Sequence, residues 1–143
     1  MKFELEATCA EYRARAGRLH TLHGEVLTPI FMPVATQAAM RGQTTDTMRA
    51  LGSQVLLANT YHLLLRPGPE VLRAFGGIHR FMNWDKTVLT DSGGFQIFSL
   101  ARFLKIAEEG ATFRSYVDGK TIALTPERSI EMQRANNSDI MMV

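Results

Sequence analysis

The sequence predicts an α/β protein whose strands are parallel and joined by helices. Three observations lead to this prediction: short apolar runs typical of buried strands, helix start and stop signals between those runs, and glycine- and proline-rich turns that flank both. Apolar residues make up 45% of the 143-residue chain and charged residues 21%, the balance of a globular domain. Buried strands that alternate with helices in this way form parallel βαβ units.

The strand candidates differ in type along the chain. Residues 3–34 alternate loosely between apolar and polar side chains and are interrupted by glycine and proline, which predicts two or three antiparallel strands at the start. Apolar runs then predict four buried strands, at residues 30–34, 54–59, 87–90 and 138–143.

Helix signals separate these runs. Thr44 is a good cap for a short helix that ends at Gly52. Residues 67–77 begin with prolines and end with two glycines, as a helix does. Thr125, followed by proline, predicts a last helix that runs to about Asn136.

Residues 103–124 predict a small antiparallel meander. The pairs Glu109-Gly110 and Asp118-Gly119 are hairpin-turn signals, and residues 111–117 between them have the composition of a strand. Residues 103–107 fit a helix equally well. Because the chain contains no repeat, low-complexity segment or linker, we expect residues 1–143 to form one domain.

The most informative polar residues follow the third buried strand. Asp91 comes where this strand ends, and Gly93 and Gly94 allow the backbone to turn sharply and approach a ligand closely. Phe95 then provides a flat ring and Gln96 a hydrogen-bonding amide. An acid, exposed amides and a ring suit a planar heterocycle such as a nucleobase. Taken alone, Asp-Ser-Gly-Gly is more typical of an ordinary turn than of a binding site.

Charge and cysteine content restrict the function classes. A net charge of +2 without a basic block permits contact with RNA but does not indicate it. Cys9 is the only cysteine, which excludes an internal disulfide and a cysteine-based zinc site, and we interpret it as a small buried hydrophobic residue. We find no apolar run of about 20 residues and no signal-peptide core, and therefore expect no membrane partner and a cytoplasmic location.

The four histidines do not predict a metal site. His20 and His23 are separated by two residues on a hairpin-like segment, which is poor ligand geometry, and we expect no third ligand type to cluster nearby. For His62 and His79 the expected role is structural hydrogen bonding. We therefore predict no metal in this chain.

Many segments follow the order of one known family. They are residues 15–17, 23–24, 28–37, 57–63, 66–68, 76–79, 90–100, 109–110, 113–115, 118–119, 124–127 and 138–140. Among them, Asn59-Thr60-Tyr61-His62-Leu63 and Asp91-Ser92-Gly93-Gly94-Phe95-Gln96 are the most distinctive. With these segments the chain resembles the N-terminal part of the tRNA-guanine transglycosylases, also called queuine tRNA-ribosyltransferases.

The resemblance implies a (β/α)₈ TIM barrel. Four predicted barrel strands correspond to the N-terminal half of such a barrel, preceded by an antiparallel strand segment and carrying a small β-meander insertion. On this view the C-terminal half and the zinc subdomain lie beyond residue 143. The alternative is a complete flavodoxin-like α/β domain. We favour it less, because the chain ends inside its last apolar run.

The resemblance also implies a reaction, the exchange of guanine at the wobble position of a tRNA anticodon for a 7-deazaguanine base. One carboxylate attacks the ribose and forms a covalent intermediate. A second carboxylate transfers protons and recognises the base. Asp91 matches the second carboxylate. Phe95 would stack on the base, and Gln96 with the amides of Ser92, Gly93 and Gly94 would contact its edge. Asn59 would hold Asp91 when the pocket is empty, and Val34 and Leu57 would line the ribose side, although core packing explains these two equally well.

The family's nucleophile and its cysteine and histidine zinc ligands are expected after residue 143, so we expect this chain to bind no cofactor and to be inactive alone. Its implied partners are tRNA and a guanine, queuine or prequeuosine base, and family members are dimeric. Two alternatives stay open: a non-catalytic partner subunit of a transglycosylase heterodimer, and an archaeosine-type enzyme that acts on the tRNA D-loop.

Overall fold

The computed structural model describes residues 1–100 and 102–143, which form three sheets of three strands each and six helices. In chain order the elements are β1 (Lys2–Thr8), β2 (Arg15–Thr21), β3 (Gly24–Thr28), α1 (Thr45–Ala50), β4 (Val55–Ala58), α2 (Thr60–Leu65), α3 (Pro69–Phe75), α4 (Ile78–Met82), β5 (Thr87–Thr90), α5 (Gly94–Leu100), β6 (Arg102–Ala107), β7 (Gly110–Arg114), β8 (Thr121–Leu124), α6 (Pro126–Asn136) and β9 (Ile140–Met141).

A parallel sheet of β4, β5 and β9 forms the centre of the fold. Val55 pairs with Thr87, and Leu89 with Ile140, so each strand lies beside the next one along the chain. Val34 adds a parallel bridge to Leu57 on the other side of β4. All four residues of β5 are buried, as in a strand covered on both faces. The α/β prediction is thereby confirmed, and the described residues form no closed barrel.

The first and last of the four predicted buried strands are shorter than expected. Of residues 30–34, only Val34 pairs with a neighbour, and Phe31 is 80% exposed. The physical reason is that Pro29 and Pro33 have no backbone N–H to donate to a ladder. The prediction of a buried strand there is therefore wrong. At the other end, β9 comprises only Ile140–Met141 of the predicted residues 138–143.

The capped helices form as predicted, and three short helices were not foreseen. The Thr44 hydroxyl accepts a hydrogen bond from the backbone N–H of Thr47, and Thr125 caps α6 in the same way. Gly76 ends α3 in the left-handed conformation. The unforeseen helices are α2, α4 and α5. Asn59 lies at the N-cap of α2, but its side chain makes no capping hydrogen bond.

The two antiparallel sheets agree with the predicted segments. The N-terminal sheet has the order β1-β2-β3 and the meander the order β6-β7-β8. Within the meander, residues 103–107 belong to a strand and not to a helix, and the predicted strand at 111–117 ends at Arg114. Cys9 follows β1 and is exposed, so its interpretation as a buried residue is wrong.

Two hydrophobic clusters hold these parts together. The larger lies between the parallel sheet and the helices and contains Tyr61, Trp84 and Phe113 among its largest side chains. The smaller joins the N-terminal sheet to the parallel sheet through Val26 and Leu89. Within the described part of the chain, no helix is both long and apolar enough to cross a membrane.

Candidate functional site

The predicted site residues meet at the carboxyl edge of the parallel sheet. Ala58 of β4 pairs with Thr90 of β5, so Asn59 and Asp91, the residues that follow them, are neighbours. Val34 lies one strand further, beside Leu57. The register of the sheet therefore brings together residues that are up to 57 positions apart in the sequence.

The Asp91 carboxylate is held by the residues that follow β4. Asn59 Nδ2 donates to Oδ2 at 2.6 Å, and the Thr60 backbone N–H donates to Oδ1 at 2.8 Å. The Thr60 hydroxyl also donates to the Asp91 carbonyl oxygen. The predicted contact between Asn59 and Asp91 is present. Thr60 was not predicted, although the first N–H groups of any helix lack an intrahelical partner and so favour an acceptor of this kind.

The turn after Asp91 is compact because of Gly93. Its φ of +84° lies in the left-handed region, and a Cβ atom there would lie 3.0 Å from the backbone nitrogen of Tyr61. Gly93 therefore allows a close approach between two parts of the protein. A Cβ at Gly94 would meet only the Ser92 hydroxyl, at 3.6 Å. Of the two glycines, Gly94 has more free space around its Cα atom.

Phe95 and Gln96 lie on the first turn of α5, beside this edge. The Phe95 side chain is exposed by 72%, which leaves a ring face free to stack. Gln96 is half-buried, and among the described residues its buried Oε1 atom has no hydrogen-bond partner. A half-buried amide oxygen without a partner favours a ligand donor at this position.

Val34 and Leu57 differ in their surroundings. Val34 is 51% exposed and borders an open cavity of about 520 Å³, which a side chain committed to the core would not do. Leu57 is half-buried and packs against the smaller hydrophobic cluster. Its packing role is therefore visible, whereas Val34 is available to a ligand.

The same cavity contains a hydrogen-bonded chain that the sequence did not predict. Gln37 Nε2 donates to the Tyr116 hydroxyl at 3.2 Å, and that hydroxyl lies 2.9 Å from His62 Nδ1. Burial lowers the pKa of His62, and the negative charge of Asp91 opposes this shift. Structural hydrogen bonding was the role expected for His62, and Tyr116 is its partner.

A second polar cluster lies at the amino edge of the same sheet, around Asp139. Oδ1 lies 2.8 Å from His23 Nδ1 and 3.2 Å from the His23 backbone nitrogen. Oδ2 lies 3.1 Å from His79 Nε2 and 2.9 Å from the backbone nitrogen of Val88. Burial alone would raise the pKa of Asp139, but the hydrogen bonds from His79, Val88 and His23 outweigh it and hold the pKa well below its usual range.

His23, His79 and Asp139 are residue types that bind metal ions, but their arrangement does not suit a metal site. The His23 and His79 rings are stacked, with centroids 3.6 Å apart and planes at 17°. Nearly parallel rings do not direct two in-plane lone pairs at one ion, and each ring nitrogen faces a different oxygen of Asp139. An ionised carboxylate only accepts, so both rings donate. The expectation that His23 has no third ligand type nearby is wrong, yet the arrangement is a hydrogen-bond network.

Comparisons with known proteins agree on one family. The family model for queuine tRNA-ribosyltransferase matches residues 9–143. Proteins named queuine tRNA-ribosyltransferase from Natranaerobius thermophilus and Nitrosomonas eutropha are 51% and 54% identical over 143 residues. A third, from Solibacter usitatus, is 53% identical over 144 residues. Each match covers 100% of this chain, which spans 38–39% of the length of these relatives. The chain belongs to the queuine tRNA-ribosyltransferase family.

Proposed function

We propose that this chain forms the base-recognising part of a tRNA-guanine transglycosylase, which exchanges guanine at the wobble position of a tRNA anticodon for a 7-deazaguanine base. The observation that carries the proposal is the position of Asp91 in a chain of this family. Asp91 lies at the carboxyl edge of the sheet, where its carboxylate accepts two hydrogen bonds, and it is followed in the chain by an exposed ring and by an amide oxygen with no partner among the described residues.

Asp91 has acceptor capacity left for a base. An ionised carboxylate offers about four lone-pair sites, and Asn59 and Thr60 use two of them. The N–H groups on the edge of a guanine ring are suitable donors for the remaining sites. In the exchange, the departing guanine takes up a proton and the incoming base gives one up, and Asp91 is the group that we assign to this proton.

The other site residues have roles around the base. Phe95 stacks on its face, and Gln96 with the amides of Ser92, Gly93 and Gly94 contacts its edge. Asn59 retains Asp91 when no base is bound, and Val34 with Leu57 borders the ribose. We assign the covalent step to a second carboxylate.

For the fold, we propose that residues 1–143 are one partial TIM-barrel domain with the first four barrel strands, the first of which is reduced to the bridge at Val34. The support is the strand order, in which Val34, β4, β5 and β9 are neighbours in chain order and parallel. In such barrels the reactive groups lie at the carboxyl ends of the strands, where Asp91 lies here. A tRNA partner, a dimer and a cytoplasmic location complete the proposal.

Base exchange by an Asp91→Asn variant tests this function. The experiment needs a polypeptide of the relatives' full length that carries these 143 residues, incubated with tRNA and labelled guanine. Asparagine has nearly the same shape but cannot take up a proton, so incorporation of the label should fall by about 10²–10⁴-fold. Asp46→Asn is the matched control, because Asp46 is exposed and its carboxylate pairs with Arg49, away from the sheet edge. Incorporation by Asp91→Asn at the rate of the control would overturn the assignment.

A further inference from the structure

Two polar side chains of α6 reach the segment that carries Asp91. The Ser129 hydroxyl donates to the Ser92 carbonyl oxygen at 2.7 Å. The Thr90 hydroxyl donates to Gln133 Oε1 at 3.0 Å. Since Thr90 and Ser92 flank Asp91, helix α6 holds the chain on both sides of this aspartate without touching its carboxylate.

The side chains that make these two hydrogen bonds are buried. Gln133 and Thr90 are fully buried, and Ser129 is nearly so. A buried polar side chain costs free energy unless it is paired. The other large residues that α6 buries are Met132, which is apolar, and Asn136. Gln133 Nε2 is also satisfied, because it donates to the Met142 carbonyl oxygen at 2.9 Å. Packing of α6 alone does not require a serine and a glutamine on this face.

The Ser129 contact also sets the direction of a peptide plane. The bond between Ser92 and Gly93 is trans, so its C=O and N–H point in opposite directions. With the carbonyl directed at Ser129, the Gly93 N–H faces away from α6. On the other side the turn already touches the start of α2, where a Cβ at Gly93 would meet Tyr61 at 3.0 Å. The turn is thus fixed between two helices.

We propose that Ser129 and Gln133 are positioning residues for Asp91. They fix the backbone of residues 90–92, and through it the place of the Asp91 carboxylate against Asn59 and Thr60 and the direction of the Gly93 amide. As a statement about catalysis, this inference rests on the proposed function. As a statement about the position of Asp91, it stands on the hydrogen bonds alone.

Amide hydrogen exchange at Thr60 tests the inference without tRNA or base. This N–H donates to Asp91 Oδ1, so its protection reports whether the carboxylate is in place. We expect Ser129→Ala to accelerate exchange at Thr60 by about tenfold or more, because the turn opens locally. The Val88 amide, on the same strand but bound to Asp139, should keep its rate. Ser129→Thr retains a hydroxyl and should restore protection at Thr60.

Thr125→Ala is the matched control. It removes the cap of the same helix, whose hydroxyl accepts from the Arg128 backbone N–H and not from residues 90–92, so Thr60 should exchange as in the unchanged protein. Gln133→Met, which keeps the length of the side chain, provides a second variant should Ser129→Ala not fold, and it should also accelerate exchange at Thr60. Equal rates in Ser129→Ala and Thr125→Ala, or slow exchange in both Ser129→Ala and Gln133→Met, would overturn the inference.

A separate titration with guanine distinguishes this inference from the proposed function. If the unchanged protein binds guanine and Ser129→Ala binds it more weakly, both stand. If the unchanged protein shows no binding while Ser129→Ala still accelerates exchange at Thr60, the proposed function fails and the positioning role remains.

Discussion

Two aspartates at opposite edges of one parallel sheet differ in how much acceptor capacity the protein leaves free. Asp139 precedes β9 at the amino edge, and its fully buried carboxylate accepts from four donors. Asp91 follows β5 at the carboxyl edge and is half-buried, and within the described part of the chain its carboxylate accepts from two donors. Because a carboxylate offers about four lone-pair sites, Asp139 is saturated and Asp91 is not.

The sources of the donors differ as well. Those of Asp139 come from the turn between β2 and β3, from α4 and from β5, so this carboxylate joins three distant parts of the chain. Those of Asp91 come from two adjacent residues, Asn59 and Thr60. A saturated carboxylate that joins separate elements serves the fold. An unsaturated one with local partners is free to bind a ligand.

The largest effect on stability is expected for Asp139→Ala. It removes the buried carboxylate that accepts four hydrogen bonds, and breaking a buried charged network typically costs about 3–5 kcal/mol. Denaturant unfolding of the variant measures the loss. The control is Asp46→Ala, an exposed aspartate whose contact with Arg49 is worth about 1 kcal/mol or less. Equal losses of unfolding free energy in the two variants would contradict a structural role for Asp139.

Acid should produce a smaller loss through the same residue. The pKa of Asp139 is lowered in the fold, so its contribution to stability is complete above the unfolded pKa, about 3.9, and is lost as the pH falls further towards the folded pKa. The loss is smaller than for truncation, because a protonated carboxyl still accepts hydrogen bonds. Melting temperatures of the unchanged protein and of Asp139→Asn measure this. Between pH 5 and pH 2 the melting temperature of the unchanged protein should fall more than that of Asp139→Asn. An equal fall in both proteins would contradict the account.

The smallest effect on stability is expected for Asp91→Asn. The amide oxygen of the new side chain can still accept from Thr60 at the edge of the sheet. The free energy of unfolding should therefore change by about 1 kcal/mol or less. Denaturant unfolding checks this against Asp139→Ala. A loss as large as that of Asp139→Ala would mean that Asp91 also serves mainly the fold, and the difference between the two edges would disappear.

Local signals explain how much of the molecule was predictable. Thr44 and Thr125 cap helices through contacts within three residues, and the buried run at residues 87–90 forms β5. The side-chain types around Asp91 also follow from the sequence, since strand ends of a parallel sheet meet at one edge.

The features that were missed depend on long-range contacts or on backbone donors. His23 and Asp139 are 116 residues apart, and no spacing rule joins them to His79. Thr60 holds Asp91 with its backbone, which carries no residue-type signal. The prolines at 29 and 33 were visible in the sequence, and their missing N–H groups should have argued against a buried strand at residues 30–34.

A guanine titration followed by amide resonances tests most directly the claim that Asp91 has acceptor capacity for a ligand whereas Asp139 does not. The Asn59 side-chain amide and the Thr60 backbone amide report on Asp91, and the Val88 amide reports on Asp139. We expect guanine to shift the Asn59 and Thr60 resonances and to leave Val88 unchanged, and we expect Asp91→Asn to abolish the shifts. Saturation with guanine that leaves Asn59 and Thr60 unchanged, or that moves Val88 equally, would contradict the claim.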